Sequence, residues 1–168
     1  MTENITFWIH IVAATAFIGP QFFLFLVIPA LRALEPGARA RALRVLTSRF
    51  GWLGGAAIVV LVLSGLSNLF QRMDEIDDLL DPDRRYFWIF LTKMSLLGVA
   101  LALTAAHSFV VGPRQLRAME GMGGGSDAEA RALRRATMAL STLILLASLG
   151  IVFAAVLMAD HSFSLQPV

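Results

Sequence analysis

Of the 168 residues, 57% are hydrophobic and only 15% charged, and the mean hydropathy is +0.72, an apolar surplus larger than a water-soluble core can absorb. The formal charge of +2 is carried by short segments between apolar runs, so there is no basic domain of the kind that binds nucleic acid. The absence of cysteine excludes disulfides, thiolate metal sites and thiol chemistry, and leaves histidine, methionine and carboxylates as the only metal ligands.

The apolar residues cluster into four runs of spanning length. The first runs from about Ile5 to Ile28, with Asn4 or Thr2 available as a cap and Pro29 and Glu35-Pro36-Gly37 at its exit. It has neither a positive leading segment nor a small-residue cleavage signal, and reads as a retained helix. Gly19-Pro20 at mid-span is expected to kink this helix and free a carbonyl near Ala16. Residues Gly37 to Arg49 read as a separate short, basic, amphipathic helix. The second span covers about Gly51 to Gln71 and opens on Gly51-x-x-x-Gly55, a small-residue spacing suited to helix packing. The acidic stretch from Asp74 to Asp83 lacks the ligand alternation and turn glycine of a calcium loop and reads as a solvated connection. The third span covers about Tyr86 to Val111 and is expected to stop at Gly112-Pro113. Gly121 to Ser126 reads as a flexible linker, not a phosphate cradle, since neither a strand nor a Lys-Ser/Thr pair flanks it. The fourth span covers about Ala136 to Met158. Together these predict one all-α domain over residues 1–168, an integral membrane four-helix bundle.

Orientation follows from the loop charges, because cytoplasmic loops retain Lys and Arg. The first connection carries Arg32, Arg39, Arg41, Arg44 and Arg49 against Glu35; the third carries Arg114, Arg117, Arg131, Arg134 and Arg135 against Glu120, Asp127 and Glu129. The second has six acids against Arg72, Arg84 and Arg85. The first and third connections are therefore expected in the cytoplasm and both termini outside, in a bacterial-type inner membrane. Trp8, Tyr86, Phe87 and Trp88 then fall at the outer boundary, and Phe50 and Trp52 at the inner one, as aromatic belts require.

Polar side chains within a span are costly unless they face a partner, so they mark where function resides. At about 100° per residue, His10, Phe17 and Gln21 share one face of the first span, and Ser64, Asn68 and Gln71 one face of the second. Lys93, Ala100, Thr104 and His107 share a stripe on the third, and Ser141 and Ser148 one on the fourth. Convergence of these stripes predicts a polar or ligand-filled interior. His10 is suited to ligate iron or copper, to relay a proton, or to hydrogen-bond a neighbouring helix. Lys93, at a similar depth, requires an anion such as a carboxylate or a cofactor propionate, unless it snorkels to the headgroups. His107 lies on the order of 20 Å deeper, so it and His10 do not share one iron. His161, Met158 and Met94 are the alternative partners for His10 on the outer side.

The segment Phe7-Trp8-Ile9-His10-Ile11-Val12-Ala13, Pro29, Arg49-Phe50, Ser64-Gly65, and Lys93 followed by His107 and Pro113 together resemble the copper-resistance D (CopD-like) membrane domain and the related HemJ-type protoporphyrinogen oxidase group. The resemblance runs from about residue 5 to 158. It implies a four-helix membrane bundle whose first-helix histidine binds haem b in HemJ-like members or takes part in copper handling in copper-resistance members. His10 would then be the ligand and Lys93 its support; His107 and Gln21, on the polar stripes, are the further candidate cofactor-binding residues. Three functions follow as expectations: a haem-b protein, redox active as an electron carrier or porphyrinogen oxidase; a copper import or resistance protein using His10, Met94, Met158 and His161; or an accessory subunit of a larger membrane complex, with a homodimer as the smaller assembly.

Overall fold

The computed structural model describes residues 2–71, 81–119 and 126–167. The acidic connection from residue 74 to 80 and the glycine linker 121–125 lie outside the described residues. The described residues contain six α-helices, α1 (Thr2–Ala30), α2 (Pro36–Phe70), α3 (Arg85–Ala105), α4 (Gly112–Met119), α5 (Asp127–Ala159) and the short α6 (His161–Ser164), with a 3₁₀ turn at Leu31–Ala33 and a π turn at Ala106–Val111. Four segments, Asn4–Ala33, Pro36–Phe70, Arg85–Gln115 and Ala128–Ala159, are long and apolar enough to cross a bilayer. Their outward surfaces carry large exposed apolar side chains such as Leu26, Trp52, Phe109 and Phe153. Water would not tolerate that surface, whereas lipid is its matching solvent.

The spans pair as two antiparallel hairpins. In the first, Thr6 meets Gln71, His10 meets Ser64, the Phe17 ring lies 4.0 Å from where a Gly54 Cβ would stand, and Phe23 packs edge-on against Phe50 at 5.7 Å. In the second, the Arg85 backbone bonds to Gln166, Leu96 packs on Gly150, and Gln115 meets the Thr137 hydroxyl. α5 contacts α1 as well as α3, and 22% of its most apolar stretch is buried against 6% for α1 and α3, so it is the central helix. Most of the buried positions are small, among them Ala13, Ala57, Ser64, Ala100, Ala147, Ser148 and Ala154, with Tyr86 and Ile144 the larger exceptions. Helices in lipid gain little from burying apolar area, so close backbone approach through small residues holds them together. Gly51 and Gly55 take no part, for a Cβ at either would meet open space.

Three boundaries differ from the sequence expectation. The basic segment 37–49 is not a separate helix but the first turns of a continuous 35-residue α2. Pro36 occupies its first turn, where no amide hydrogen is needed, and nothing from Arg49 to Gly55 breaks the ladder. At 1.5 Å per residue α2 exceeds a hydrocarbon core of about 30 Å by roughly 20 Å. α5 likewise starts at Asp127, nine residues before the apolar onset, because the Ser126 side chain accepts the Glu129 amide at 3.3 Å and caps it, with Glu129 favourable at the positive helix end. The third helical segment does not stop at Gly112-Pro113. Residues Ala106–Val111 form a π turn and the helix continues as α4. α1 also runs unbroken through Pro20 and Pro29.

Candidate functional site

Two tiers of polar side chains occupy the bundle. The outer tier centres on His10. Its Nδ1 lies 2.9 Å from the Ser64 hydroxyl, which itself donates to the Val60 carbonyl at 2.6 Å. A serine has one hydroxyl proton, and that proton is committed to Val60. Ser64 therefore accepts from His10, which places the imidazole proton on Nδ1 and leaves the Nε2 lone pair free. Such a second hydrogen bond fixes both tautomer and ring plane in metal-binding histidines. Gly65 admits the ring: a Cβ there would stand 3.2 Å from His10 Cε1, too tight for any larger residue without displacement. Toward the end of the hairpin, Gln71 bonds to Thr6 and to Ser67. Lys93, from α3, lies within electrostatic reach of His10, and the described residues offer its ammonium no carboxylate partner.

The inner tier consists of Gln21 on α1, Thr104 on α3 and His107 in the π turn that follows α3. From His10 to Gln21 and from Lys93 to Thr104 is the same step of 11 residues along the chain, which is about 16 Å of helix and returns to nearly the same face. The tiers are thus separated by about half the bilayer core. Gln21 Oε1, Thr104 Oγ1 and His107 Nδ1 are all buried without a hydrogen-bond partner. An unpaired buried polar group costs about 1–3 kcal/mol, so three of them on one level are a considerable expense. His107 also falls in the π turn, where its carbonyl accepts the Gly112 amide. Pro113 explains that turn, since it has no amide hydrogen to continue the ladder. π turns inside α-helices are frequent at functional sites.

Of the residues expected around a ligand, His10 and Ser64 are in hydrogen-bond contact with Lys93 within electrostatic reach, whereas Gln21, Thr104 and His107 lie deeper along their own helices, each with an unpartnered buried atom. Met94, on α3, is 37% exposed. Met158 is half-buried near the end of α5, and the side chain of His161 lies outside the described residues. No group of three or more His, Asp or Glu suited to hold a metal occurs among the described residues. Two features escaped sequence reasoning. Gly65 as the floor beneath the His10 ring had only its place in the Ser64-Gly65 pair as a signal, and the π turn had only Gly112-Pro113, which reads equally well as a helix stop.

These features define a multi-pass α-helical membrane protein with a histidine-bearing polar interior. A family model described as Copper resistance protein D matches residues 44–158, more than half the chain, and the chain belongs to that family. The match covers α3, α4, α2 from residue 44 onward and all but the last residue of α5, with α1 and its His10 ahead of it. No curated protein and no solved structure matches the chain. Of the two ligand chemistries the sequence suggested, the match bears on copper and lends nothing to haem b.

Proposed function

We propose that the protein handles copper at an inner, cytoplasmic-type membrane, with both termini outside and His10 receiving the ion from the outer side. The observation that carries this reading is the His10–Ser64–Val60 chain of hydrogen bonds, which holds the imidazole through Nδ1 and leaves Nε2 its lone pair. Imidazole suits copper in either oxidation state, and the family match supplies the metal. Copper is cargo here, and a single imidazole with few companions holds it loosely enough to release it. A cation held near Lys93 is favoured when it arrives with an anion, which satisfies the ammonium as well.

The test is copper retention by detergent-purified protein after loading, compared with His10→Ala. Wild type is expected to retain copper, without a haem absorption band, and His10→Ala to retain less. Equal retention by the two proteins refutes the role of His10, and a Soret band in the purified wild type would replace copper with haem.

A further inference from the structure

We infer that the Arg-rich end of the bundle holds anionic phospholipid on a strip of α2, where Arg41 and Arg49 take the headgroup phosphate and exposed apolar side chains from Trp52 to Leu63 take an acyl chain. This strip lies on the lipid-facing surface. It depends neither on the copper reading nor on which leaflet that end meets.

The strip follows from helix continuity. Because α2 runs unbroken from Pro36 to Phe70, its basic turns and its spanning turns keep one angular register. At about 100° per residue, Arg41, Val45, Arg49, Trp52, Val59 and Leu63 fall within about 80° of one another. All six are exposed, Trp52 by 78%. Trp52 stands about 5 Å along the axis from Arg49, and Leu63 about 16 Å beyond Trp52, which is one leaflet of a hydrocarbon core of about 30 Å. A charged head beside one leaflet of apolar surface is the outline of a phospholipid. α5 repeats the order, with Arg131 and Arg135 ahead of Met138, Leu149 and Phe153, all exposed and within about 60° of one another.

The sign of the charge selects the lipid. α2 contains neither Asp nor Glu, and the ten arginines of the first and third connections face four acids, Glu35, Glu120, Asp127 and Glu129. α4 touches both α2 and α5, so these arginines share one end of the bundle. A guanidinium bonds a phosphate through two parallel N–H donors. A soluble polyanion would match the arginines and leave Trp52 and Leu63 uncovered, whereas an anionic phospholipid matches both parts. Each arginine beside a span raises affinity for an anionic surface about fivefold.

Trp52 reports on the strip directly. Trp8→Phe with Trp88→Phe leaves it as the only tryptophan of the full-length chain. This protein is reconstituted in vesicles of equal phosphatidylglycerol and phosphatidylcholine, with brominated acyl chains on one lipid or the other, and quenching of Trp52 is compared. Brominated phosphatidylglycerol is expected to be preferred at least about fivefold. Adding Arg41→Gln with Arg49→Gln is expected to bring the preference close to unity. Arg32→Gln with Arg114→Gln, which removes the same charge from the same end but off the strip, should leave most of it. Equal quenching by the two lipids before any arginine is changed overturns the inference, and that comparison stands on its own if a variant fails to fold. Equal losses in the two double variants overturn it as well, by reducing the strip to the general charge of that end. Soluble glycerol 3-phosphate in excess is expected to leave the preference intact; its abolition would assign the arginines to a free phosphate instead of a lipid.

Discussion

Replacing Ser64 with alanine separates the ligand from its support. Ser64 is buried, 7% exposed, and its oxygen stands 2.9 Å from His10 Nδ1. The change deletes that acceptor and leaves every other atom of the ring's surroundings in place. Loss of such an outer partner weakens metal binding by about 10–100-fold. The expected loss is therefore at least about tenfold, or ~1.4 kcal/mol. Stability is expected to change by less than about 1 kcal/mol, since the Val60 carbonyl keeps its helical bond. Ser148→Ala is the control: that serine is equally buried but bonds only the Ile144 carbonyl of its own helix, at 2.8 Å. Competition against a copper(I) chelator measures both variants. Wild-type affinity in folded Ser64→Ala, or equal losses in the two variants, refutes the tautomer argument.

Gly65→Ala is expected to push the His10 ring aside by a few tenths of an ångström, because its Cβ would stand 3.2 Å from Cε1; copper affinity should fall while the thermal midpoint stays nearly constant, and unchanged affinity would show that the ring has room. Gly112→Ala and Gly150→Ala form a contrasting pair. The first places a Cβ 2.9 Å from the rigid His107 carbonyl, the second 3.0 Å from the movable end of Leu96. Overpacking of about 1–3 kcal/mol is expected for Gly112→Ala and markedly less for Gly150→Ala in thermal unfolding, and the reverse order would contradict the π-turn geometry. The chain has no cysteine, so single cysteines report topology directly: Ser162→Cys should react with an impermeant maleimide in intact cells and Ala40→Cys only after lysis, and the opposite pattern would invert the orientation.

The number of spans was legible in the sequence because apolar length against a bilayer of fixed thickness is a local quantity that needs no partner. His10 and Lys93 stood out for the same reason, as polar groups where polarity is costly. Helix ends were less legible. Arg39 to Arg49 and Arg131 to Arg135 differ from their neighbouring spans in solvent preference but not in backbone conformation, so α2 and α5 pass through the membrane boundary without a break. Gly112-Pro113 signals an interruption without saying whether the chain stops or inserts a π turn, since proline removes one hydrogen bond in either case.

Length, polarity and the number of crossings belong to the chain itself, because each depends on the transfer of individual residues from water to lipid. Which imidazole nitrogen keeps its lone pair depends on a hydroxyl 54 residues away. That Gln21, Thr104 and His107 are left without partners depends on what the facing helices do not offer. Both were decided only by tertiary packing, since hydrogen bonds act over about 3 Å and no periodicity along one helix specifies what stands opposite it.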